Sequence, residues 1–308
     1  MSITVKRLHP LFAAEIGGAD LTLPLDDATW RAIEDAFEEY SVLVFRDQRL
    51  DDEHQIAFSR RFGDLESTVA SAGNKGKPAT VAKITNVGAD GALLPLESKE
   101  MKFRDGNEMW HTDSSFKRVP AKASLLSARE VPPVDGDTEF ASLRAAYAAL
   151  PQETVAGLEN LVAIHSYTYS RGLIDPNLFT PEQAAQVPPV PQRVVRVNPK
   201  NGSKALFLGS HASHIEGMPL EQGRKLLREL LAAATDPRFV YRHQWRQFDL
   251  VIWDNRATLH RGCGWDKTRY RRVMHLTTVA GEGPELQGTC PSLNSAITTA
   301  SWQTVSAP

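Results

Sequence analysis

The feature that most constrains the fold is a succession of short apolar segments, separated by turns and by long polar insertions. These segments lie at 41–46, 122–130, 161–169, 248–253 and 271–279. Short apolar runs bounded by turn residues are typical of buried β-strands. Because so many short strands must bury their faces against one another, they predict a mostly β (α+β) fold with a closed or double-sheet core, such as a jelly roll.

Helical periodicity is confined to four stretches, and we expect these helices to flank the core. They are 26–40, 51–62, 141–160 and 219–235. Two further apolar runs flank Asn201-Gly202, a dipeptide that is typical of β-hairpin turns.

Three polar insertions, at 64–78, 88–106 and 171–192, are longer than plain connections need to be. Insertions of this length are often functional, and we predict that they act as lids over a site. We expect residues 1–280 to form a single domain. Residues 281–308 are rich in Gly, Pro, Ser and Thr, which predicts an irregular C-terminal tail.

The composition excludes several classes of partner. The 308-residue chain has a formal net charge of -2, which gives no indication of nucleic-acid or anionic-membrane binding. Its two cysteines, Cys263 and Cys290, suffice for neither a disulfide framework nor a zinc knuckle. The N-terminus lacks the apolar core of a signal peptide, and no apolar run reaches membrane-spanning length. We therefore expect a cytoplasmic protein. We also expect a homo-oligomer that acts on a small organic acid.

A candidate metal site begins with His111 and Asp113, which are two residues apart. On a β-strand these side chains would point to the same face and offer one ion an imidazole nitrogen and a carboxylate oxygen. A His-x-Asp pair alone is common by chance. His260, which follows a later strand-like run, would add a second imidazole. Two histidines and one carboxylate are typical of non-haem Fe(II) oxygenases, so we predict that these three residues are metal ligands.

Arg271 lies eleven residues after His260 and opens the last strand-like run. Its guanidinium is a natural partner for a carboxylate, because the planar fork binds both oxygens at once. A metal triad and an arginine on a strand together suit a keto acid, whose far carboxylate the arginine would hold. Arg272 is expected on the opposite face of the strand, pointing outward.

At this point the chain resembles a known family, the Fe(II)/2-oxoglutarate-dependent dioxygenases of the TauD/TfdA type. The resemblance covers roughly residues 3–280. It is carried by Trp110-His111-Thr112-Asp113-Ser114-Ser115-Phe116, Gly136-Asp137-Thr138, Trp253-Asp254-Asn255-Arg256, His260-Arg261 and Arg271.

The resemblance implies a double-stranded β-helix core and Fe(II) bound by the predicted triad. It also implies that Thr138 and Arg271 contact 2-oxoglutarate, which is consumed as a co-substrate together with O2. Asn107 stands where the family often has an asparagine near the iron pocket.

Within the family, the chain is most similar to the aryloxyalkanoate dioxygenases of the 2,4-dichlorophenoxyacetate type. Such an enzyme hydroxylates the carbon next to the ether oxygen, and the product collapses to a phenol and glyoxylate. The likeness lies outside the iron site, in segments such as Ser41-Val42-Leu43-Val44-Phe45-Arg46 and Gly209-Ser210-His211-Ala212-Ser213-His214.

The residue that binds the substrate's acid group stays open. Several family members carry a second arginine four residues after the first, and here that position is His275. Since 271, 273 and 275 share a strand face, His275 is expected to point inward with Arg271. His211 and His214 are further candidates for substrate contact, with a structural or exposed loop position as the alternative.

Other functions remain as alternatives. A taurine, alkylsulfonate or other small-acid dioxygenase would use the same site. A zinc-dependent hydrolase would use the same three ligands with a metal-bound water, although Thr138 and Arg271 at family spacing argue against it. A non-catalytic barrel that binds a small acid would not need the intact triad.

Overall fold

The computed structural model describes residues 3–67 and 80–283. Most of the predicted lid at 64–78 and of the predicted tail at 281–308 lies outside the described residues. No helix in the described ranges is long and apolar enough to cross a membrane.

The described residues contain fifteen strands. They are β1 (Thr4–Arg7), β2 (Ala14–Gly17), β3 (Val42–Phe45), β4 (Ala82–Thr85), β5 (Ala121–Glu130), β6 (Thr138–Ser142), β7 (Val162–His165), β8 (Val190–Arg193), β9 (Val195–Val197), β10 (Lys204–Leu206), β11 (Ala212–Ile215), β12 (Val240–His243), β13 (Leu250–Asp254), β14 (Thr258–Gly262) and β15 (Val273–Ala280).

Eight α-helices accompany them in the same ranges. They are α1 (Asp27–Tyr40), α2 (Asp52–Ser59), α3 (Lys99–Asp105), α4 (Leu143–Ala148), α5 (Gln152–Leu158), α6 (Tyr167–Gly172), α7 (Pro181–Ala185) and α8 (Leu220–Ala234). Short 3-10 helices span Gly106–Glu108 and Pro237–Phe239.

The strands form a sheet-rich α+β fold. The main sheet has seven strands in the order β1-β2-β3-β13-β5-β15-β4, with β2 and β3 parallel and the other pairs antiparallel. Two three-stranded sheets, β12-β6-β14 and β11-β7-β8, and the hairpin β9-β10 complete it. The predicted strands at 41–46, 122–130, 248–253 and 271–279 are confirmed as β3, β5, β13 and β15.

Helices α1 and α2 cover one face of the main sheet. Asp26 caps α1 by accepting a hydrogen bond from the backbone of Thr29, and Ser41 ends the helix at φ 60°. The apolar stripe of α1, with Ile33 and Phe37, packs on the buried side chains of β3 and β13. Helical spacing alone predicted this helix and α8, because both are amphipathic.

The opposite face of the main sheet packs against the sheet β12-β6-β14. Phe140 of β6 lies among Val251, Trp253 and Met274, all of them buried side chains of the main sheet. Side chains alternate along a strand, so the residues of β13 divide between this core and the helix-covered one. Strand β14, which carries His260, is thereby held over the main sheet.

The predicted strand 161–169 ends at His165, because Ser166 caps α6 by accepting a hydrogen bond from the backbone of Tyr169.

The two described insertions that were predicted as lids contain short helices and contact each other. Lys102 of α3 lies 3.0 Å from the carboxylate of Asp175 after α6. The rings of Phe103 and Phe179 meet edge to face at 5.4 Å.

The core strand β3 supports a stability prediction. Leu43 is fully buried between the sheet and α1, whereas Leu11 is 52% exposed. Leu43→Ala is expected to lower the free energy of unfolding by about 2–5 kcal/mol, because it leaves a cavity. Leu11→Ala is expected to change it by no more than about 0.5 kcal/mol. Urea denaturation measures both values, and equal effects would contradict this placement of the core.

Candidate metal centre and active site

Two backbone hydrogen bonds join the histidines of the predicted triad. The His111 N–H donates to the His260 carbonyl at 3.0 Å, and the His260 N–H donates to the His111 carbonyl at 2.8 Å. This isolated bridge extends the sheet in which His260 lies opposite Phe140 of β6. The pairing brings together two residues that are far apart in the sequence.

The three predicted ligands converge on one point. Oδ1 of Asp113 lies 3.8 Å from Nε2 of His111 and 3.8 Å from Nε2 of His260. One ligand atom from each residue lies within 4.8 Å of the other two. Both histidines are buried, while the Asp113 side chain is 20% exposed. The predicted grouping is therefore confirmed as a metal-binding triad, with its carboxylate towards the accessible side.

The surroundings keep both imidazoles neutral and orient them. Nδ1 of His111 lies 2.7 Å from the Met109 carbonyl, so it carries the proton and leaves Nε2 free to bind a metal. The His260 ring packs against the Trp253 ring at a centroid distance of 4.6 Å. Burial lowers the pKa of His111 and lowers that of His260 to about 3. Neutral imidazoles are the form that binds metal ions.

Asp113 is positioned by a hydrogen-bond network and not by a regular strand. It lies in a turn, so the expected strand placement of the His-x-Asp pair does not hold. Oδ1 of Asn255 accepts from the Asp113 backbone N–H at 3.0 Å, and Nδ2 of Asn255 donates to Ser124 Oγ at 2.9 Å. Ser124 in turn donates to Oδ2 of Asp113 at 2.6 Å, which leaves Oδ1 for the metal.

A glycine allows a second loop to approach His111 closely. Gly209 has a φ of 130°, and a Cβ placed there would lie 3.2 Å from the His111 Cα. The next residue, Ser210, donates its backbone N–H to the Trp110 carbonyl at 2.8 Å. This contact fixes the start of the loop that carries His211.

Phe116, Tyr167 and His211 form an aromatic wall beside His111. The His211 ring lies 6.2 Å from that of His111 and 5.0 Å from that of Phe116. Phe116 stacks on Tyr167 at 4.3 Å. Nδ1 of His211 bonds to Ser170 Oγ at 2.8 Å, and burial holds the pKa of His211 well below its usual value. Of the two predicted histidines, His211 is thus close to the triad.

The structure exchanges the expected directions of two neighbouring arginines. Arg271 is 43% exposed, pairs with Glu130 at 2.9 Å and donates to the Gly91 carbonyl. Arg272 is buried, and its Nε has no hydrogen-bond partner. Burial lowers the pKa of Arg272 to about 10. The expectations that Arg271 points inward and Arg272 outward are therefore both wrong.

Arg272 lines a pocket that also contains Asn107, Gly262, Cys263 and Trp265. Its guanidinium lies 5.3 Å from the Trp265 ring centroid. The predicted contact Thr138 is buried on β6 opposite Gly262, which is one of the residues that line this pocket. Its Oγ1 accepts a hydrogen bond from Trp245 Nε1 at 2.9 Å, which leaves the hydroxyl proton free to donate.

Two other predicted histidines lie elsewhere. His275 contacts Asp52 of α2 at 2.5 Å, on the helix-covered face of the main sheet, so its expected inward direction is wrong. Its neighbour on β15, Met274, faces the other core. His214 of β11 bonds to the neighbouring Ser213 and has no contact with the triad among the described residues.

One buried residue beside the site was not predicted. Arg171 of α6 donates from Nη2 to Oδ1 of Asn107 at 2.9 Å. It lies in an insertion without hydrophobic periodicity, and the serine that caps α6, Ser166, is a sequence signal that could have indicated this helix.

Comparisons with known proteins find a matching family and similar sequences that cover most of the chain. Residues 4–278 match the family described as “Taurine catabolism dioxygenase TauD, TfdA family”. The chain is 45% identical over 282 residues to the alpha-ketoglutarate-dependent 2,4-dichlorophenoxyacetate dioxygenase of Cupriavidus pinatubonensis, covering 91% of this chain and 98% of the relative. It is 43% identical to the protein of that name from Burkholderia sp. (strain RASC), covering 91% and 95%.

A solved structure is similar over the same region. The complex of AAD-2 with Mn(II) and N-oxalylglycine has a TM-score of 0.86 and 44% sequence identity, covering 94% of this chain and 100% of AAD-2. Because the family match spans the segments that carry all three ligand residues, the chain belongs to the TauD/TfdA family of dioxygenases.

Proposed function

We propose that the protein is an Fe(II)- and 2-oxoglutarate-dependent dioxygenase that hydroxylates an aryloxyalkanoate such as 2,4-dichlorophenoxyacetate. The carbon next to the ether oxygen gains a hydroxyl group, and the hemiacetal collapses to a phenol and glyoxylate. 2-Oxoglutarate becomes succinate and CO2. The two oxidations together supply the four electrons that reduce O2. One oxygen atom enters succinate and the other enters the hydroxylated substrate.

The convergence of His111, Asp113 and His260 on one point carries this proposal. Two neutral imidazoles and one carboxylate fit Fe(II) and leave one face of the ion open. A ferrous ion held there supplies the site at which O2 is activated as the co-substrate is decarboxylated. The residues around it hold the ligands in place before any substrate arrives.

Arg272 and Thr138 are the proposed contacts to the far carboxylate of 2-oxoglutarate. Arg272 offers an unpartnered, buried N–H. Thr138 offers its hydroxyl proton, because its Oγ1 accepts a hydrogen bond from Trp245 Nε1 and the proton must point elsewhere. Charge-assisted hydrogen bonds of this kind are strong in a buried site. The N-oxalylglycine bound to AAD-2 differs from 2-oxoglutarate by an NH in place of a CH2.

The aromatic wall supports an aryl substrate. Phe116, Tyr167 and His211 offer ring faces and edges next to His111. Aromatic pairs of this geometry add about 0.5–1.5 kcal/mol beyond the burial of their area. The Lys102–Asp175 and Phe103–Phe179 contacts join the two described insertions, and the Phe179 ring meets that of Tyr167 at 5.4 Å, an arrangement that would help to exclude water.

The proposal extends to the fold and its domain organisation. The main sheet and the sheet β12-β6-β14 are taken as the two walls of a double-stranded β-helix, with the triad at its open end. A single domain over 1–280 is supported by the family match to residues 4–278.

The triad yields the first functional prediction. His111→Ala and Asp113→Ala are expected to abolish coupled O2 consumption and succinate formation with Fe(II), because two ligands cannot hold the ion. Loss of Mn(II) binding in calorimetry measures the same defect without turnover. Activity of the parent enzyme with zinc alone, or full activity of either variant, would reject a dioxygenase.

The reversed directions of Arg271 and Arg272 yield the second functional prediction. Arg272→Leu is expected to raise the KM for 2-oxoglutarate about 100-fold, as for the loss of a buried charged partner. Arg271→Leu is the matched control and is expected to leave this KM unchanged, because its side chain is exposed and paired with Glu130. N-Oxalylglycine affinity checks both variants, and the reverse order would show that Arg271 holds the co-substrate.

The third prediction concerns the substrate. An aryloxyacetate, each hand of an aryloxypropionate, and taurine are compared by phenol or sulfite release together with succinate. We expect the highest kcat/KM for an aryloxyalkanoate, because its aryl ring can pack against the aromatic wall. Taurine has no ring to make this contact. A clear preference for taurine would overturn the substrate class.

A further inference from the structure

Arg171 is a buried cation without an anionic partner. Its side chain is only 5% exposed, and no carboxylate lies within ion-pair distance in the described ranges. Nε and Nη1 have no hydrogen-bond partner, while Nη2 donates to the neutral Asn107. A buried charge that lacks a counter-ion is unfavourable in folding, so this arrangement points to a site that an anionic ligand would complete.

The surroundings of Arg171 place it at the aromatic wall. Its guanidinium lies over the Tyr167 ring at 4.9 Å, and the neighbouring Ser170 binds His211. Asn107, which Arg171 holds, follows α3 of the facing lid and lies four residues before His111. A cation, an amide and two aromatic rings thus stand together on one side of the metal-binding triad.

The backbone opposite Arg171 is shaped to admit the guanidinium. A Cβ at Gly106 would lie 2.1 Å from Nη1 and 2.5 Å from Cζ of Arg171. The φ of Gly106 is -61°, which any residue adopts, so the local conformation does not require glycine there. Glycine is needed at this position for the space that it leaves to Arg171.

On this basis we infer that Arg171 binds the carboxylate of the aryloxyalkanoate while the aromatic wall receives its ring. This inference rests on the proposed function and deepens it. Arg272 serves the co-substrate in a separate pocket whose lining includes Asn107, so Asn107 lies between the two anion sites. The half-buried Lys102 of α3 is already paired with Asp175. The side chain of His275 lies on the far face of the sheet.

The test compares an acid with its neutral amide. The full chain is loaded with Mn(II) and N-oxalylglycine, and calorimetry gives the Kd of 2,4-dichlorophenoxyacetate and of 2,4-dichlorophenoxyacetamide. Arg171→Met is expected to raise the Kd of the acid about 100-fold and that of the amide less than about threefold, because only the acid loses a charged partner. Arg171→Lys is expected to restore part of the acid affinity.

Gly106→Ala provides a variant that keeps the charge but displaces it. The added methyl group pushes against the guanidinium, and we expect the Kd of the acid to rise about tenfold, equivalent to one weakened charged hydrogen bond. Gly172→Ala is the matched control, because a Cβ there meets nothing within 4 Å. Arg224→Met removes a guanidinium that lies over Tyr169 at 5.5 Å, and it is the control for a partly exposed cation.

Three outcomes would overturn the inference. Equal weakening of acid and amide by Arg171→Met would assign the residue a structural role only. A raised Kd for N-oxalylglycine, with an unchanged ratio of acid to amide affinity, would assign it to the co-substrate. Failure of the parent enzyme to bind any aryloxyalkanoate would reject the proposed function, and the assignment of Arg171 with it.

Discussion

The reciprocal backbone hydrogen bonds between His111 and His260 are the constraint on which the site depends. Folding must close a very long loop to bring these residues together, and the sheet containing β6 and β14 meets that entropic cost. Backbone pairing fixes the two Cα positions, so the side chains need only their ordinary rotamers to converge. A triad held in this way is preorganised, because no side chain must move far when a metal binds.

Asp113 completes the triad by different means. It has left the strand for a turn, where backbone pairing no longer fixes its direction. Asn255 and Ser124 replace that pairing with hydrogen bonds to its backbone and to one carboxylate oxygen. The Trp253 indole also donates to Asn255 and packs on His260. One buried network therefore sets two of the three ligands, which makes its members positioning residues.

Periodicity predicted the amphipathic helices α1 and α8, and continuous apolar runs predicted the strands β3 and β13, which are buried on both faces. It did not predict β14, because the short run 258–262 mixes polar and apolar residues without alternation. The grouping of the triad followed from residue types and spacing. The directions of Arg271 and Arg272 did not, since a shift of one residue reverses the face of every side chain. That choice depends on tertiary partners, Glu130 outside and Trp265 inside, which spacing does not reveal.

The two buried arginines link the energetics of the fold to its chemistry. Arg171 and Arg272 both keep N–H groups without partners, and burial lowers the pKa of Arg272 to about 10. Each therefore lowers the stability of the fold, and an anion that paired with it would recover that free energy on binding. Asn107 joins them, because it accepts from Arg171 and lines the Arg272 pocket. In the proposed roles of Arg171 and Arg272, the stability lost at these two positions contributes to the affinity for two acids beside one metal-binding triad.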